Sequence, residues 1–238
     1  MKFNKYLQRF ILLLSLASIL YASQLSAQTI TTITIKSGEE FTAVFKQMYR
    51  FPQFTYGKVY FMNKDSAKGK LNYNLVMGKM QFIDKKGDTL VLSDNNPIRL
   101  VAIDTNLFYC NTGECVELIA GLPSAELVVA NHLKFADEQK VGAYGLPTSS
   151  QSIENTNSFK TNDYSLRLDK DLIFTKETQY YLIDGNKHFM AVTKKNLQKL
   201  LPKQKNVIEN YLKDNEVNFK NGSDLKNLFS YLAKTYWD

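Results

Sequence analysis

The sequence has 238 residues, a formal net charge of +7, and 14 tyrosines with 15 phenylalanines. Its apolar content of 44% is enough for a folded core, which excludes a globally disordered chain. The positive charge is modest compared with that of dedicated nucleic-acid-binding proteins, so nucleic acid is not an expected partner.

The first 27 residues have the three parts of a cleavable signal peptide. Lys2, Lys5 and Arg9 form a positive segment, an uncharged apolar run follows, and small residues precede a predicted cut after Ala27. The apolar run, residues 10–21, is too short to span a hydrocarbon core, which takes about 20 residues. An uncleaved anchor and a buried N-terminal helix are the alternatives.

Removal of this signal leaves 211 of the 238 residues and lowers the net charge from +7 to +4, because the signal carries three basic residues and no acid. A cut after Ser23 is a second choice. Neither cut exposes a cysteine, so we do not expect a lipoprotein. No second long apolar run follows, so we expect no transmembrane segment, and the mature protein should lie in the periplasm or outside the cell.

Short alternating runs separated by turn residues predict a series of β-strands from residue 29 to about 131. Residues 37–49 fit either a short helix or a strand, while residues 63–69 and 85–88 indicate turns. The predicted strands cover residues 29–36, 58–61, 71–76, 79–82, 90–92, 98–103, 107–110, 115–119 and 125–130.

The composition changes at Ala143, and residues 147–163 are mostly Ser, Thr, Asn and Gln, which predicts a linker. A functional lid is the alternative. Short strands are predicted next, at residues 164–168, 172–174, 179–183 and 188–192. Asp184 and Gly185 indicate a hairpin turn, since this pair tolerates positive φ. Three helices should follow, the first capped by Thr193 and the last by Ser223.

These elements predict an α+β protein that is mainly β. We expect an antiparallel β-meander or partly closed barrel, with a C-terminal β-hairpin and about three helices packed on it. The predicted organisation is a signal peptide (1–27), a β-rich region (28–142), a polar linker or loop (143–163) and a hairpin with helices (164–238). Because the helices carry apolar stripes that must be buried, the two large regions should form one composite domain.

Cys110 and Cys115 flank a short loop that is suited to a hairpin. Cysteines facing each other across a hairpin can form a disulfide, and an oxidising compartment favours one. Two free thiols and a redox-active pair are alternatives, although the spacing differs from the C-x-x-C motif of redox proteins. We therefore expect a structural disulfide.

No catalytic or metal-binding motif is present in the sequence. The only histidines, His132 and His188, lie far from any cluster of zinc ligands, so no metal or cofactor is expected. Paired carboxylates are one form of hydrolytic site that sequence spacing does not reveal. The strand-rich part includes Asp104, Glu114, Glu117 and Glu126, whose side chains are expected to be solvated.

Residues 185–206 contain six lysines and no acid. Basic stretches attract polyanions, which in an envelope are lipid headgroups, lipopolysaccharide cores and acidic glycans. A solvated helix face is the simpler interpretation. The predicted anion-binding patch consists of Lys187, Lys194, Lys195, Lys199, Lys203 and Lys205.

Several stretches resemble a recurrent pattern in uncharacterised exported proteins of Gram-negative bacteria. The resemblance spans most of the mature chain and implies a Gram-negative envelope or extracellular location, but it carries no known catalytic residue or ligand. The matching stretches are residues 51–54, 57–59, 72–75, 80–84, 141–145 and 194–197.

Two functional hypotheses follow. The first is a non-enzymatic envelope or secreted protein that binds a partner protein, glycan or anionic membrane component through its aromatic-rich sheet. The second is a hydrolase of an envelope or extracellular polymer, with carboxylates brought together by the fold. A pocket with two facing carboxylates would favour the hydrolase, and an exposed aromatic patch would favour binding.

Overall fold

The computed structural model describes residues 29–35, 41–92, 97–111, 114–135 and 172–236. The predicted signal peptide, the polar linker and the predicted strand at residues 164–168 lie outside this part of the chain. Within it, eleven strands form one open antiparallel sheet accompanied by four α-helices. This confirms the prediction of a mainly β, α+β fold.

All the described strands precede the last three helices in the chain. The strands are β1 (Thr29–Ile35), β2 (Thr55–Phe61), β3 (Ser66–Asn74), β4 (Lys79–Ile83), β5 (Thr89–Val91), β6 (Ile98–Ile103), β7 (Asn106–Asn111), β8 (Glu114–Leu122), β9 (Ala125–Phe135), β10 (Leu172–Ile183) and β11 (Phe189–Ala191). The helices are α1 (Phe41–Met48), α2 (Lys194–Leu200), α3 (Lys205–Asp214) and α4 (Gly222–Tyr236), with a 3₁₀ turn at Pro202–Gln204.

The sheet is largely a meander, with the strand order β5-β4-β3-β2-β6-β7-β8-β9-β10-β1. Two pairings depart from the order along the chain. Strand β6 pairs with β2 rather than with β5, and β1 pairs with β10 near the other end of the sequence. Strand β11 also pairs with β10, beyond the end of β1. Strand β10 therefore joins the N-terminal and C-terminal parts of the chain in one sheet.

Two strands differ from the sequence-based expectation in length. Strand β10 is continuous, although two short strands were expected, because residues 175–178 pair with both β1 and β9 despite their polar character. Strand β3 begins at Ser66, inside the segment expected to be a turn. In both cases a short, mostly polar stretch lies within a paired strand although its composition resembles that of a turn.

Residues 37–49 fitted a helix or a strand equally well, and the described part of this segment is mainly helical, as α1. Thr193 caps α2 as predicted, since its side chain accepts the backbone N–H of Asn196 at 3.2 Å. The cap of α4 is different. Asn221 rather than Ser223 caps this helix, and its Oδ1 accepts the backbone N–H groups of Ser223 and Asp224.

Two groups of buried apolar residues form the core. The central cluster packs α1 against the sheet and includes Met48, Leu71, Ile103, Phe108 and Phe174. The helical cluster packs α2, α3 and α4 against β9 and β10, and includes Leu127, Leu182, Leu197, Ile208, Leu225, Leu228, Phe229 and Leu232. No helix in the described part of the chain combines the length and apolar character needed to cross a membrane.

Candidate functional site

A cleft of about 650 Å³ opens on the face of the sheet that also carries the two clusters. Its floor comes from β1, β8, β9 and β10, one wall from the end of α1, and the other wall from the start of α4. The volume lies within the roughly 300–1,000 Å³ typical of small-molecule sites. The cleft is therefore the candidate functional site.

The floor follows from the two-residue period of a strand, which places alternate side chains on one face. Strand β9 contributes Val129, Asn131 and Leu133, and its neighbour β10 contributes Lys176 and other alternate residues. Ile33 and Ile119 add further apolar surface from β1 and β8. The floor thus combines apolar and polar side chains.

An ion pair joins one wall of the cleft to its floor. The Arg50 guanidinium donates through Nε to Glu117 Oε2 at 2.8 Å and through Nη2 to Oε1 at 2.9 Å. The hydrogen bond that Arg50 donates to Glu117 raises the pKa of Arg50 above its ordinary value, although partial burial opposes this. Glu117 is only 7% exposed, so its charge is compensated mainly by Arg50.

Hydrogen bonds with β3 hold the backbone of Arg50 and Phe51 in position. Asn72 is completely buried, and its side chain bonds to both the backbone N–H and the backbone C=O of Phe51. The Arg50 N–H donates to the Tyr73 carbonyl at 2.9 Å. These bonds fix the segment after α1 to β3. The backbone of Arg50 is therefore already held in place for its side chain to bond to Glu117.

Three lysines line the cleft without an ion pair in the described part of the chain. They are Lys46 from α1, Lys176 from β10 and Lys226 from α4. Lys220 also lines the cleft. Against these cations, Glu117 is the single acid among the described lining residues, and it is already paired. The cleft therefore has an excess of positive charge.

The floor also offers an oriented amide donor. Thr178 and Asn131 face each other across β10 and β9, and the Thr178 hydroxyl donates to Asn131 Oδ1 at 3.0 Å. This bond fixes the oxygen of the amide and leaves its NH₂ group as a donor to a ligand.

Tyr180 connects the floor to the wall formed by α4. Burial raises the pKa of Tyr180, with a smaller opposing effect from the Gly222 N–H, which donates to its hydroxyl. A Cβ atom at Gly222 would lie 2.6 Å from the Tyr180 oxygen, so only glycine allows this approach. The start of α4, which carries Lys226, is positioned by this contact.

The predicted disulfide is confirmed. Cys110 and Cys115 are cross-strand partners in the β7–β8 hairpin, with their Cα atoms 4.1 Å apart and their sulfurs bonded. Cys115 is 3% exposed and belongs to the central cluster, and its carbonyl accepts the Tyr73 hydroxyl at 3.0 Å. The disulfide thus connects a hairpin end to the core.

The four acids considered from the sequence are not brought together. Asp104 and Glu114 are exposed, as expected, but the expectation of a solvated side chain is wrong for Glu117. Glu126 lies on the opposite face of the sheet and bonds to Tyr109 and Lys187. No two of these carboxylates share the cleft.

The two histidines have separate surroundings. His188 is exposed and its Nδ1 lies 3.0 Å from Asp184 Oδ2, whereas His132 packs beside Gly78. In the residues that the structure describes, no group of three or more His, Cys, Asp or Glu side chains is arranged to hold a metal ion.

The lysines of residues 185–206 are distributed over several elements. Lys187 lies in the β10–β11 turn, pairs with Glu126 and sits 3.9 Å from the centroid of Tyr109. Its φ is +64°, so the positive φ of this turn falls on Lys187 rather than on Gly185. Lys194 approaches Glu209 at 3.7 Å. The remaining four are exposed and make no ion pair with described residues; they are Lys195, Lys199, Lys203 and Lys205.

No family model, curated protein or solved structure matches this chain. The fold and the site define an α+β protein with a cationic cleft on an open antiparallel sheet. Its function must be inferred from the chemistry of that cleft.

Sequence reasoning missed the cleft because its cations come from α1, β10 and α4. One local signal was present, since Lys176, Thr178 and Tyr180 alternate within residues 176–180 as one polar face of a strand. The sequence does not show which helices pack beside that face.

Proposed function

We propose that this chain is a non-enzymatic, exported protein that binds an anionic ligand in the cleft. The observation that supports it most directly is the set of cleft lysines Lys46, Lys176 and Lys226, none of which has an ion-pair partner among the described residues. Cations held in a concave site raise the local concentration of anions and hold them by charge.

The apolar residues of the floor indicate which kind of anion the cleft would bind. Ile33 and Ile119 are partly exposed and offer apolar surface beneath the lysines, whereas Val129 and Leu133 are buried. A ligand with an apolar body and a carboxylate, sulfonate or phosphate group would match both the apolar residues of the floor and the cleft lysines. The body would gain about 25 cal/mol per Å² of apolar surface removed from water.

The carboxylate arrangement supports binding over hydrolysis. A glycoside hydrolase needs two carboxyl groups on either side of the scissile bond. The cleft offers Glu117 alone among its described lining residues, and both oxygens of that carboxylate accept hydrogen bonds from Arg50. The described lining of the cleft therefore lacks the second carboxyl group that such a hydrolase requires.

The signal-peptide pattern of residues 1–27 supports export to the periplasm or the exterior of a Gram-negative cell. Gln28 follows the predicted cut, so the proposed mature protein is not a lipoprotein. In that compartment the available ligands include anionic lipids, which combine an apolar body with an anionic group.

Two fluorescent probes that differ in charge test the proposal. Anilinonaphthalene sulfonate carries an anionic group, and N-phenylnaphthylamine is its uncharged counterpart. We expect the sulfonate to bind the folded protein more tightly, and its affinity to fall as salt is added. In Lys176→Gln/Lys226→Gln its affinity should fall by about fivefold or more, equivalent to about 1 kcal/mol.

The matched control is Lys195→Gln/Lys199→Gln, which removes two exposed lysines of α2 that do not line the cleft. This variant should bind the sulfonate like the unmodified protein. Equal binding of both probes, or equal losses in the two double variants, would refute an anion site in the cleft.

A further inference from the structure

A second cationic surface lies on the opposite side of the sheet from the cleft. Strands β2 and β3 pair so that Tyr56 faces Lys70, Lys58 faces Lys68, and Tyr60 faces Ser66. The alternate residues of these strands, such as Val59 and Leu71, are buried in the central cluster. The outward row therefore consists of tyrosines, lysines and one serine; we call it the outer face.

The tyrosine rings hold cations in place on this face. Lys58 Nζ lies 4.7 Å from the centroid of Tyr60, and Arg99 Cζ of the neighbouring strand β6 lies 5.7 Å from the same ring. Lys70 Nζ lies 5.8 Å from the centroid of Tyr56. Contacts of this kind are attractive because the ring faces are electron-rich.

These charges are not compensated within the described part of the chain. None of Lys58, Lys68, Lys70 and Arg99 forms an ion pair there. Lys58 and Lys68 are direct cross-strand neighbours, and like charges in that position destabilise a sheet. The arrangement retains a local cost to stability that an anionic partner would relieve.

The shape of the surface indicates the form of that partner. Successive outward residues lie about 6.6 Å apart along a strand, and neighbouring strands lie about 4.8 Å apart. The cations are thus repeated along neighbouring strands rather than gathered around one point. Tyr56 is 72% exposed, so its amphipathic ring is available to a ligand.

We propose that the outer face binds an acidic polysaccharide, with carboxylates paired to the lysines and Arg99 and a sugar ring packed on Tyr56. A polymer with repeated negative groups matches repeated cations. A lipid surface is the less suitable partner, because interfacial binding relies on apolar side chains that insert between lipids. The exposed Met62 lies in the turn after β2, beyond the outer face.

The test is binding of hexagalacturonate, with maltohexaose as the uncharged oligosaccharide of equal length, measured by isothermal titration calorimetry. We expect binding of the acidic oligosaccharide alone, with affinity that decreases as salt rises. In Lys58→Gln/Lys70→Gln the affinity should fall about tenfold, the equivalent of about 1.4 kcal/mol. Tyr56→Ala should lower it by a smaller factor.

Two control variants separate this proposal from the cleft proposal. Lys195→Gln/Lys199→Gln, and also the cleft variant Lys176→Gln/Lys226→Gln, should retain full affinity for hexagalacturonate. Loss in the cleft variant with no loss in Lys58→Gln/Lys70→Gln would overturn the assignment to the outer face while leaving the cleft proposal intact.

Vesicles of phosphatidylcholine with phosphatidylglycerol provide the remaining comparison. Binding to these vesicles that depends on Lys58 and Lys70, without binding to hexagalacturonate, would identify a membrane partner and overturn the polysaccharide proposal. Absence of binding to both probes would overturn it as well. Unfolding curves of each variant verify that the sheet is intact.

Discussion

The cleft and the outer face both present uncompensated cations, but they are assembled in different ways. Lys46, Lys176 and Lys226 reach the cleft from two helices and a strand that are far apart in the sequence. Lys58, Lys68 and Lys70 lie on one hairpin. The cleft therefore depends on long-range packing, whereas the outer face depends on the register of neighbouring strands. Substitutions that disturb packing should therefore affect ligand binding in the cleft, and substitutions on the hairpin should affect ligand binding at the outer face.

The largest effect is expected from Leu225→Ala. Leu225 is completely buried in the helical cluster, and removal of such a side chain costs about 2–5 kcal/mol of stability. Because α4 forms a wall of the cleft, anilinonaphthalene sulfonate should bind the folded variant more weakly, while hexagalacturonate binding is unchanged. Urea denaturation and the two titrations measure these effects.

Ser230→Ala on the exposed side of α4 is the matched control and should change stability by less than about 0.5 kcal/mol. If Leu225→Ala weakens ligand binding at both surfaces equally, the distinction between long-range and local assembly is wrong.

Gly222→Ala should lower stability by about 1–3 kcal/mol, because the new methyl group would meet the Tyr180 ring. The Tyr180 oxygen lies 2.6 Å from the position of that Cβ, and ring carbons lie 3.2 and 3.3 Å from it. In an open helix position the same change would stabilise by about 1 kcal/mol. The sign of the change in unfolding free energy therefore tests the contact.

A double-mutant cycle with Tyr180→Phe isolates the hydroxyl from the ring. Gly222→Ala should cost less in the phenylalanine background, because the closest atom is absent. Equal costs in the two backgrounds would show that the hydroxyl does not constrain the start of α4.

Tyr73 lies beneath the cleft face and should affect stability at alkaline pH. Burial raises its pKa above the ordinary value of 10.0, with added effects from Glu114 and Glu117. The unfolded chain therefore releases this proton at lower pH than the folded chain. The corresponding stability is complete below pH 10.0 and is lost as pH rises above that value.

Tyr73→Phe removes this ionisation and also the hydrogen bond to the Cys115 carbonyl. We expect a loss of about 1 kcal/mol at neutral pH and a shallower decline above pH 10 than in the unmodified protein. Urea denaturation between about pH 8 and pH 11 measures both quantities. Parallel declines in the two proteins would exclude Tyr73 as a source of alkaline destabilisation.

The smallest effect is expected on the outer face. Lys68→Glu replaces repulsion across β2 and β3 with attraction to Lys58, and should raise the unfolding free energy by about 0.2–1 kcal/mol. Lys68→Gln should have an intermediate effect. Both substitutions should weaken hexagalacturonate binding. A loss of stability in this series would contradict the inference that the lysine pair is repulsive.

Much of the fold could be predicted because its signals are local. Alternation identified most strands between residues 29 and 131, and helical spacing identified α2, α3 and α4. The disulfide was also predictable, since Cys110 and Cys115 occupy opposite ends of a short hairpin loop. The errors occurred where polar residues are paired, at the start of β3 and the middle of β10.

The candidate sites were harder to predict, for a different reason. Arg50 and Glu117 are separated by 67 residues and meet only because β8 lies beneath the segment after α1. Nothing local in the sequence distinguishes Glu117 from the exposed Glu114. The lysine-rich segment at residues 185–206 was more conspicuous, yet Lys187 and Lys194 of that segment each have an acidic partner.

The sequence by itself determined the mainly β character, the order of most elements, the helical end of the chain and the disulfide. Each of these follows from side-chain periodicity or from contacts between residues close in the chain. Tertiary structure alone decided the pairing of β1 with β10, the burial of Glu117 and the gathering of cations around the cleft. These features depend on which distant strands and helices pack together, because local periodicity specifies a face but not its neighbour.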